Sequence, residues 1–138
     1  MSKYTTTCAI IVNAQNKVLL IKRAREPFKN IWALISGIGG SKKGFEPQEA
    51  VKDEVYYDLH VPFQGKFVFS LSVKNDQFTD EILVFQGTIN EINIRLNPIS
   101  VSEFGWFRKE DIKNLGSLAF EHNVILEMIS LNISSQTN

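Results

Sequence analysis

The sequence lacks most of the features that narrow a function quickly. It has one cysteine, Cys8, which excludes an intramolecular disulfide and a thiolate metal cluster. It carries no net charge, because 15 Lys and Arg balance 15 Asp and Glu. That balance gives no general electrostatic attraction to a polymeric nucleic acid or an anionic membrane, so neither is an expected partner. No run approaches the roughly 18 apolar residues of a membrane span. The first residues hold one Lys, some threonines and a short apolar run, a poor match to a signal peptide, so a cytoplasmic location is expected. There is no internal repeat, low-complexity tract or linker. One domain is expected over residues 1–138, with an ordered core over about residues 4–131.

What is present suits a folded core. Hydrophobic residues make up 43% and aromatic residues 11%, with 22% charged, which argues against intrinsic disorder. Cys8 lies in an apolar, β-branched stretch that reads as a buried strand, so a packed thiol is expected there.

Residues 5–12 and 17–22 read as two strands of a hairpin around Asn13-Ala14-Gln15-Asn16. Residues 32–35 read as a short strand, and residues 36–44 as a glycine-rich loop holding Lys42 and Lys43. A helix is predicted over residues 47–59. Pro47 suits its first position, Glu46 and Glu49 complement the positive end of its dipole, and Val51, Val55 and Leu59 form a core face. Glu54 and Asp58 lie four apart on what reads as a neighbouring polar face. His60 is expected to end this helix, since His tolerates positive φ better than most residues.

Further along, residues 63–74 and 81–94 are strand-like, residues 103–107 form a short strand, and residues 109–115 a helical turn or two. A second helix is predicted over residues 119–131, with Phe120, Val124, Ile125, Met128 and Ile129 as apolar repeats and a frayed polar tail over residues 132–138. This order predicts an α/β (α+β) fold, a mixed sheet with helices packed on it.

The chemistry-bearing region is residues 32–61. Glycine-rich backbone can approach phosphate oxygens closely. Carboxylates at i and i+4 of a helix can place oxygen ligands on one hard cation such as Mg²⁺. Arg23, Arg25 and Lys29 form a basic cluster ahead of the loop, and arginine suits bidentate phosphate contact. Phe28, Trp32 and Trp106 could stack on a base, although two of the three read as core. His122 has two readings, a substrate contact or acid–base group and a hydrogen-bonded structural residue.

Together these residues resemble a family. The Nudix hydrolase signature is Gly, five residues, Glu, seven residues, Arg-Glu, an apolar residue, any residue, Glu-Glu, any residue, Gly and an apolar residue. The stretch from Gly39 and Gly40 to Val61 follows that layout, with Gly39 at the first Gly, Glu54 at the Glu of Arg-Glu, Val55 at the apolar position, Asp58 at the second Glu of the pair and Val61 at the end. It departs from the signature at Phe45, with Glu46 one residue late, and at Asp53, Tyr57 and His60. The flanks resemble Nudix proteins of the ADP-ribose pyrophosphatase kind. They comprise Val18 to Arg23 with Arg25 to Leu34, Glu103 to Phe107, and Leu118-Ala119-Phe120-Glu121-His122.

The resemblance implies a Nudix-like α/β/α sandwich with a mixed, mainly antiparallel sheet. It implies a hydrolase that uses Mg²⁺ or Mn²⁺ to cleave the diphosphate of a nucleoside diphosphate-linked, ADP-ribose-like compound. Glu54 and Asp58 would be catalytic and hold metal, with Glu46 as a further metal ligand. Arg23, Arg25, Gly39, Gly40, Glu121 and His122 would bind substrate. The lost chemistry at Phe45, Asp53 and Tyr57 supports an alternative, a catalytically impaired module that binds or senses a nucleotide or sugar nucleotide. A homodimer is compatible with the resemblance.

Overall fold

The computed structural model describes residues 2–38, 46–74 and 76–136. Its order is β1 (Ser2–Ile11), β2 (Val18–Arg23), β3 (Trp32–Ala33), β4 (Ile35–Gly37), α1 (Pro47–Leu59), β5 (Gln64–Lys74), β6 (Phe78–Thr88), β7 (Val101–Phe107), α2 (Lys109–Ile112) and α3 (His122–Gln136). Short 3₁₀ turns lie at Glu91–Asn93, Lys113–Leu115 and Ala119–Glu121.

The first two strands are apolar on both faces, and this fixes the architecture. Residues Cys8 to Ile11 and Val18 to Ile21 are all buried. Cys8, Ile10, Val18 and Leu20 join one core with Ile112, Ile125 and Ile129 of α2 and α3. Ala9, Ile11, Leu19 and Ile21 join another core with Val51, Val55 and Leu59 of α1. Successive residues of a strand point to opposite faces, so these strands form the filling between two helical layers. The fold is therefore the mixed α/β/α sandwich that the sequence led us to expect.

The strands do not form the predicted hairpin. β1 lies between β4 and β6 in a four-stranded sheet ordered β4-β1-β6-β5, and β2 lies between β3 and β7 in a second sheet. Both edges of each strand are already paired, so only the Val12–Val18 bridge joins them. Asn13 builds the turn, its Oδ1 accepting from the Gln15 and Lys17 amides at 3.1 and 2.9 Å. The β1–β6 ladder is parallel and the others are antiparallel.

Helix α1 has the predicted bounds. Glu46 is its N-cap and His60 closes it in the left-handed conformation, φ 57° and ψ 34°. The His60 amide donates to the Tyr56 carbonyl at 2.8 Å, and its Nδ1–H donates to the Arg95 carbonyl at 2.7 Å. The end of the chain differs from expectation. Phe120 has φ 54° and ψ 26° inside the Ala119–Glu121 turn, so α3 begins at His122 and continues to Gln136. Phe120 is 43% exposed and belongs to no helical core face. The strand predicted over residues 32–35 splits at Leu34, whose amide donates to a histidine ring instead of a ladder. Among the described residues no helix is long and apolar enough to cross a membrane.

Candidate functional site

A cavity of about 600 Å³ opens where the ends of β2 and β4, the exposed side of α1 and the turn before α3 meet. Its size lies within the roughly 300–1,000 Å³ common for small-molecule sites. Thr6, Asp80 and Ile82 border it from the larger sheet, Ser36 and Gly37 from β4, and Glu54 from α1. Arg23, Arg25 and Phe28 come from the segment after β2, and Phe120, Glu121 and His122 from the turn. The fold thus gathers Arg23, Arg25, Glu54, Glu121 and His122 at one place.

Each side chain has a local cause for its position. The Glu54 carboxyl lies against Gly37 so closely that a Cβ there would overlap it. Glycine at 37 is what lets a helix carboxylate reach the strand end. Arg23 is held by its Nε–H, which donates to the Pro27 carbonyl at 2.7 Å, and its guanidinium lies 4.9 Å from the centre of the Phe120 ring. Arg25 lies over Tyr57, 5.7 Å from that ring. On the floor, Thr6 Oγ1 donates to both Asp80 oxygens, at 2.8 and 3.0 Å.

His122 is buried, and its role follows from its partners. The Leu34 amide donates to Nδ1 at 3.0 Å, so Nδ1 carries no proton. Burial, reinforced by the positive charge of Arg23, pushes the imidazole down from 6.5 to about 4. The ring is therefore neutral at pH 7 with its proton on Nε2, which lies 3.4 Å from Ser36 Oγ. A ring in this state offers a fixed donor on the cavity side, and neither nitrogen is a general base near neutral pH.

Asp58 departs from the polar face predicted for it. It is only 5% exposed, and Ser100 Oγ–H donates to its Oδ1 at 2.7 Å. Burial raises its carboxyl pKa, against the opposing effects of the Ser100 hydrogen bond and the charges of Arg25 and Arg23. It does not border the cavity, and neither does Glu46. Gly39 and Gly40 lie outside the described residues.

The burial of Asp58 yields a prediction. Asp58→Asn keeps the acceptor for Ser100 and removes a charge that burial disfavours. The variant is expected to melt at the same temperature as wild type or a few degrees higher at pH 7, by roughly 1 kcal/mol. A folded carboxyl pKa raised above its ordinary value contributes stability at low pH and loses it as pH rises through the folded value. The difference between the two proteins should therefore close on acidification. Thermal melts at pH 7 and pH 4 check this, and a lower midpoint for the variant at pH 7 would show that the charge is needed.

No family model and no curated protein matches this sequence. Its shape does match solved structures. The NUDIX domain of Shewanella oneidensis NrtR, solved with ADP ribose, is similar with a TM-score of 0.78 and 18% identity, over 96% of this chain and 90% of that one. The MutT protein from Methanosarcina mazei Go1 gives 0.79 and 17%, over 95% of each chain. The E. coli ORF135 protein gives 0.78 and 16%, over 97% of this chain and 94% of that one. The chain has the Nudix fold.

A resident divalent cation needs several oxygen donors that converge on one point. Of Glu46, Glu54 and Asp58, one borders the cavity, and Asp58 is engaged with Ser100. Position 57 carries a phenol that receives Arg25. Among the described residues, no group of three or more His, Cys, Asp or Glu is placed to hold a metal ion. The three expected ligands thus do not all border the cavity, whereas Glu54, Asp80 and Glu121 do.

Sequence reasoning missed Thr6, Val73, Asp80, Ile82 and Phe120 as cavity residues, and had Ser36 and Gly37 only as part of the glycine-rich loop. Phe120 had a signal, since it sits in the Leu-Ala-Phe-Glu-His run. Its apolar spacing with Val124 favoured a helix instead.

Proposed function

We propose that this Nudix-fold chain binds a nucleoside diphosphate-linked compound of the ADP-ribose type, acting as a binding or sensing module. The observation that carries this reading is the pair of arginines, Arg23 and Arg25, at a cavity also bordered by Glu54, Asp80 and Glu121, while the second helix carboxylate, Asp58, is turned inward onto Ser100. Guanidinium groups suit the oxygens of a diphosphate, and the neutral Nε2–H of His122 lies beside Ser36 at the same wall. The NrtR domain of the same fold, solved with ADP ribose, makes that ligand the first to try.

Expected behaviour is stabilisation without consumption. ADP-ribose at about 100 times its Kd should add roughly 2.7 kcal/mol to the folded state by mass action. A thermal-shift titration measures this, and chromatography of the same samples should return the ligand intact. No stabilisation by ADP-ribose or by other nucleoside diphosphate-linked compounds would sink the proposal.

A second reading is turnover, favoured by the Glu54 carboxyl lodged against Gly37 at the cavity. Mg²⁺ is commonly held by one or two carboxylates together with substrate phosphates. In this reading the chain is a pyrophosphohydrolase, with Glu54 facing a cation that arrives on the diphosphate. Appearance of AMP and ribose 5-phosphate with Mg²⁺ or Mn²⁺, lost in Glu54→Gln, would establish it over the first.

A further inference from the structure

Where the chain passes from one sheet to the other, it leaves a backbone amide outside both ladders. β3 pairs with β2 in the smaller sheet and β4 pairs with β1 in the larger, and Leu34 lies between them. Leu34 is buried, and an amide left there without a partner would cost stability. His122 Nδ1 accepts from it at 3.0 Å. This contact fixes more than the join between the sheets. A neutral imidazole has one proton, and with Nδ1 serving as an acceptor that proton sits on Nε2. Nε2–H then meets Ser36 Oγ at 3.4 Å. The Ser36 oxygen is therefore an acceptor, and the proton left to give onward is that of its own hydroxyl. The bonds run one way, from the Leu34 amide through the ring to Ser36, and Ser36 borders the cavity.

Among the described residues, two aliphatic hydroxyls border the cavity, and they have opposite senses. Thr6 donates to both oxygens of Asp80, so its proton is committed. Ser36 receives, so its proton is available. Glu54 lies against Gly37, and Ser36, one residue earlier on the same strand, points to the other face. The charge of Arg23 reaches the His122 ring that aims Ser36. The carboxylates around the cavity, Glu54, Asp80 and Glu121, offer acceptors, whereas Ser36, Arg23 and Arg25 offer donors. An anionic oxygen of a ligand is matched to the second set. A hydroxyl that itself accepts a hydrogen bond is also a stronger donor, because a chain of such bonds polarises along its length.

We infer that Ser36 donates its hydroxyl proton to a phosphate oxygen of the ligand, with His122 as the positioning residue that aims it, so that the diphosphate lies against β4. This rests on the ligand-binding reading above and adds to it which end of the ligand this wall holds. It also joins the structural and binding roles of His122. The bond that holds the Leu34 amide is the one that sets the direction of the bond to Ser36.

The test uses the whole chain and the variants Ser36→Ala and Ser36→Thr. The first removes the hydroxyl, and the second keeps it on a residue that suits a strand. Circular dichroism should show both folded. In calorimetric titration Ser36→Ala should bind ADP-ribose about 10-fold or more weakly, the scale of one hydrogen bond to a charged group, and Ser36→Thr should recover most of the loss. Inorganic pyrophosphate should weaken by a similar factor in Ser36→Ala, and adenosine, which has no phosphate, should not weaken. The imidazole supplies a second signature. Proton–nitrogen NMR of wild type should show Nδ1 unprotonated, and the Nε2–H resonance should move when ADP-ribose saturates the site. In Ser36→Ala that resonance should stay in place on saturation. If wild type binds ADP-ribose and Ser36→Ala keeps its affinity, the inference is overturned while the binding function stands. An equal Nε2–H shift in Ser36→Ala overturns the positioning role, because the ligand then acts on the ring directly. An equal loss for adenosine and ADP-ribose puts Ser36 at the other end of the ligand and overturns the inference as well. If wild type binds no nucleoside diphosphate-linked compound, the ligand-binding reading fails, and the Ser36 contact fails with it.

Discussion

Arg23→Met is expected to weaken ADP-ribose binding by about 100-fold, the scale of losing charge-assisted hydrogen bonds to a diphosphate. Arg23→Lys should recover little of it. Arg23 does three things through the shape of its guanidinium: its Nε donates to the Pro27 carbonyl, its plane covers Phe120, and its charge faces the cavity. An ammonium group supplies the charge without the plane or the fixed fork. The same substitution should also touch His122, because the charge of Arg23 helps to hold that imidazole down. In Arg23→Met the His122 pKa should rise while staying below its ordinary value, since burial is the larger cause. Calorimetry reads the affinity, and NMR titration of the imidazole reads the second effect. Unchanged affinity in Arg23→Met would remove Arg23 from the ligand site.

The second large effect concerns His122 as a structural post. His122→Ala takes the acceptor from the Leu34 amide, which is buried, and opens a void beside it. An orphaned buried donor costs about 1–3 kcal/mol, and the void adds to it. A total loss of roughly 3 kcal/mol, or about 10 °C in midpoint, is expected. His122→Asn offers an oxygen near the place of Nδ1 and should lose less. The pH dependence has a definite sign. The folded pKa of about 4 lies below the ordinary 6.5, so the unfolded chain takes up this proton first on acidification. Stability from His122 is complete above about pH 6.5 and falls as pH drops toward 4, by about 3 kcal/mol in all. Wild type should show this slope in denaturant melts across that window, and His122→Asn should show a shallower one. Equal slopes would refute the buried neutral imidazole.

How much of this could be read from the residues depended on whether the cause was local. Helix α1 could be read because Pro47, the Val51-Val55-Leu59 repeat and His60 all act within a turn or two of where they stand. The inward turn of Asp58 also had a local sign, since position 58 follows Val51 by two turns and Val55 by one, on the face that packs. The assumption that a carboxylate belongs outside hid it. The hairpin expected of β1 and β2 failed for a different reason. A strand that is apolar on both faces belongs at the centre of a sheet, and two such strands cannot both be central and be each other's only partners.

The cavity needed contacts that no local pattern carries. Thr6 meets Asp80 only through the β1–β6 ladder, and Ser36 meets His122 only because Leu34 gives up its strand bond. Arg23, Arg25, Glu54 and His122 could be named as candidates from residue chemistry and Glu121 from the family resemblance, but their common opening is a product of tertiary packing. Phe120 could not be found by periodicity at all. Its apolar spacing says helix, and its left-handed backbone stops one.

The position of Cys8 has a practical corollary. The thiol sits at full burial in β1, with its pKa pushed up to about 12 by that burial. An alkylating reagent needs the thiolate in contact with solvent, so it must wait until β1 parts from the layers on either side. As the chain has no other cysteine, every adduct counts one such opening. The molecule carries its own clock for rare excursions from the native state, and anything that grips the cavity above Thr6, two residues away on the same strand, should slow its ticking.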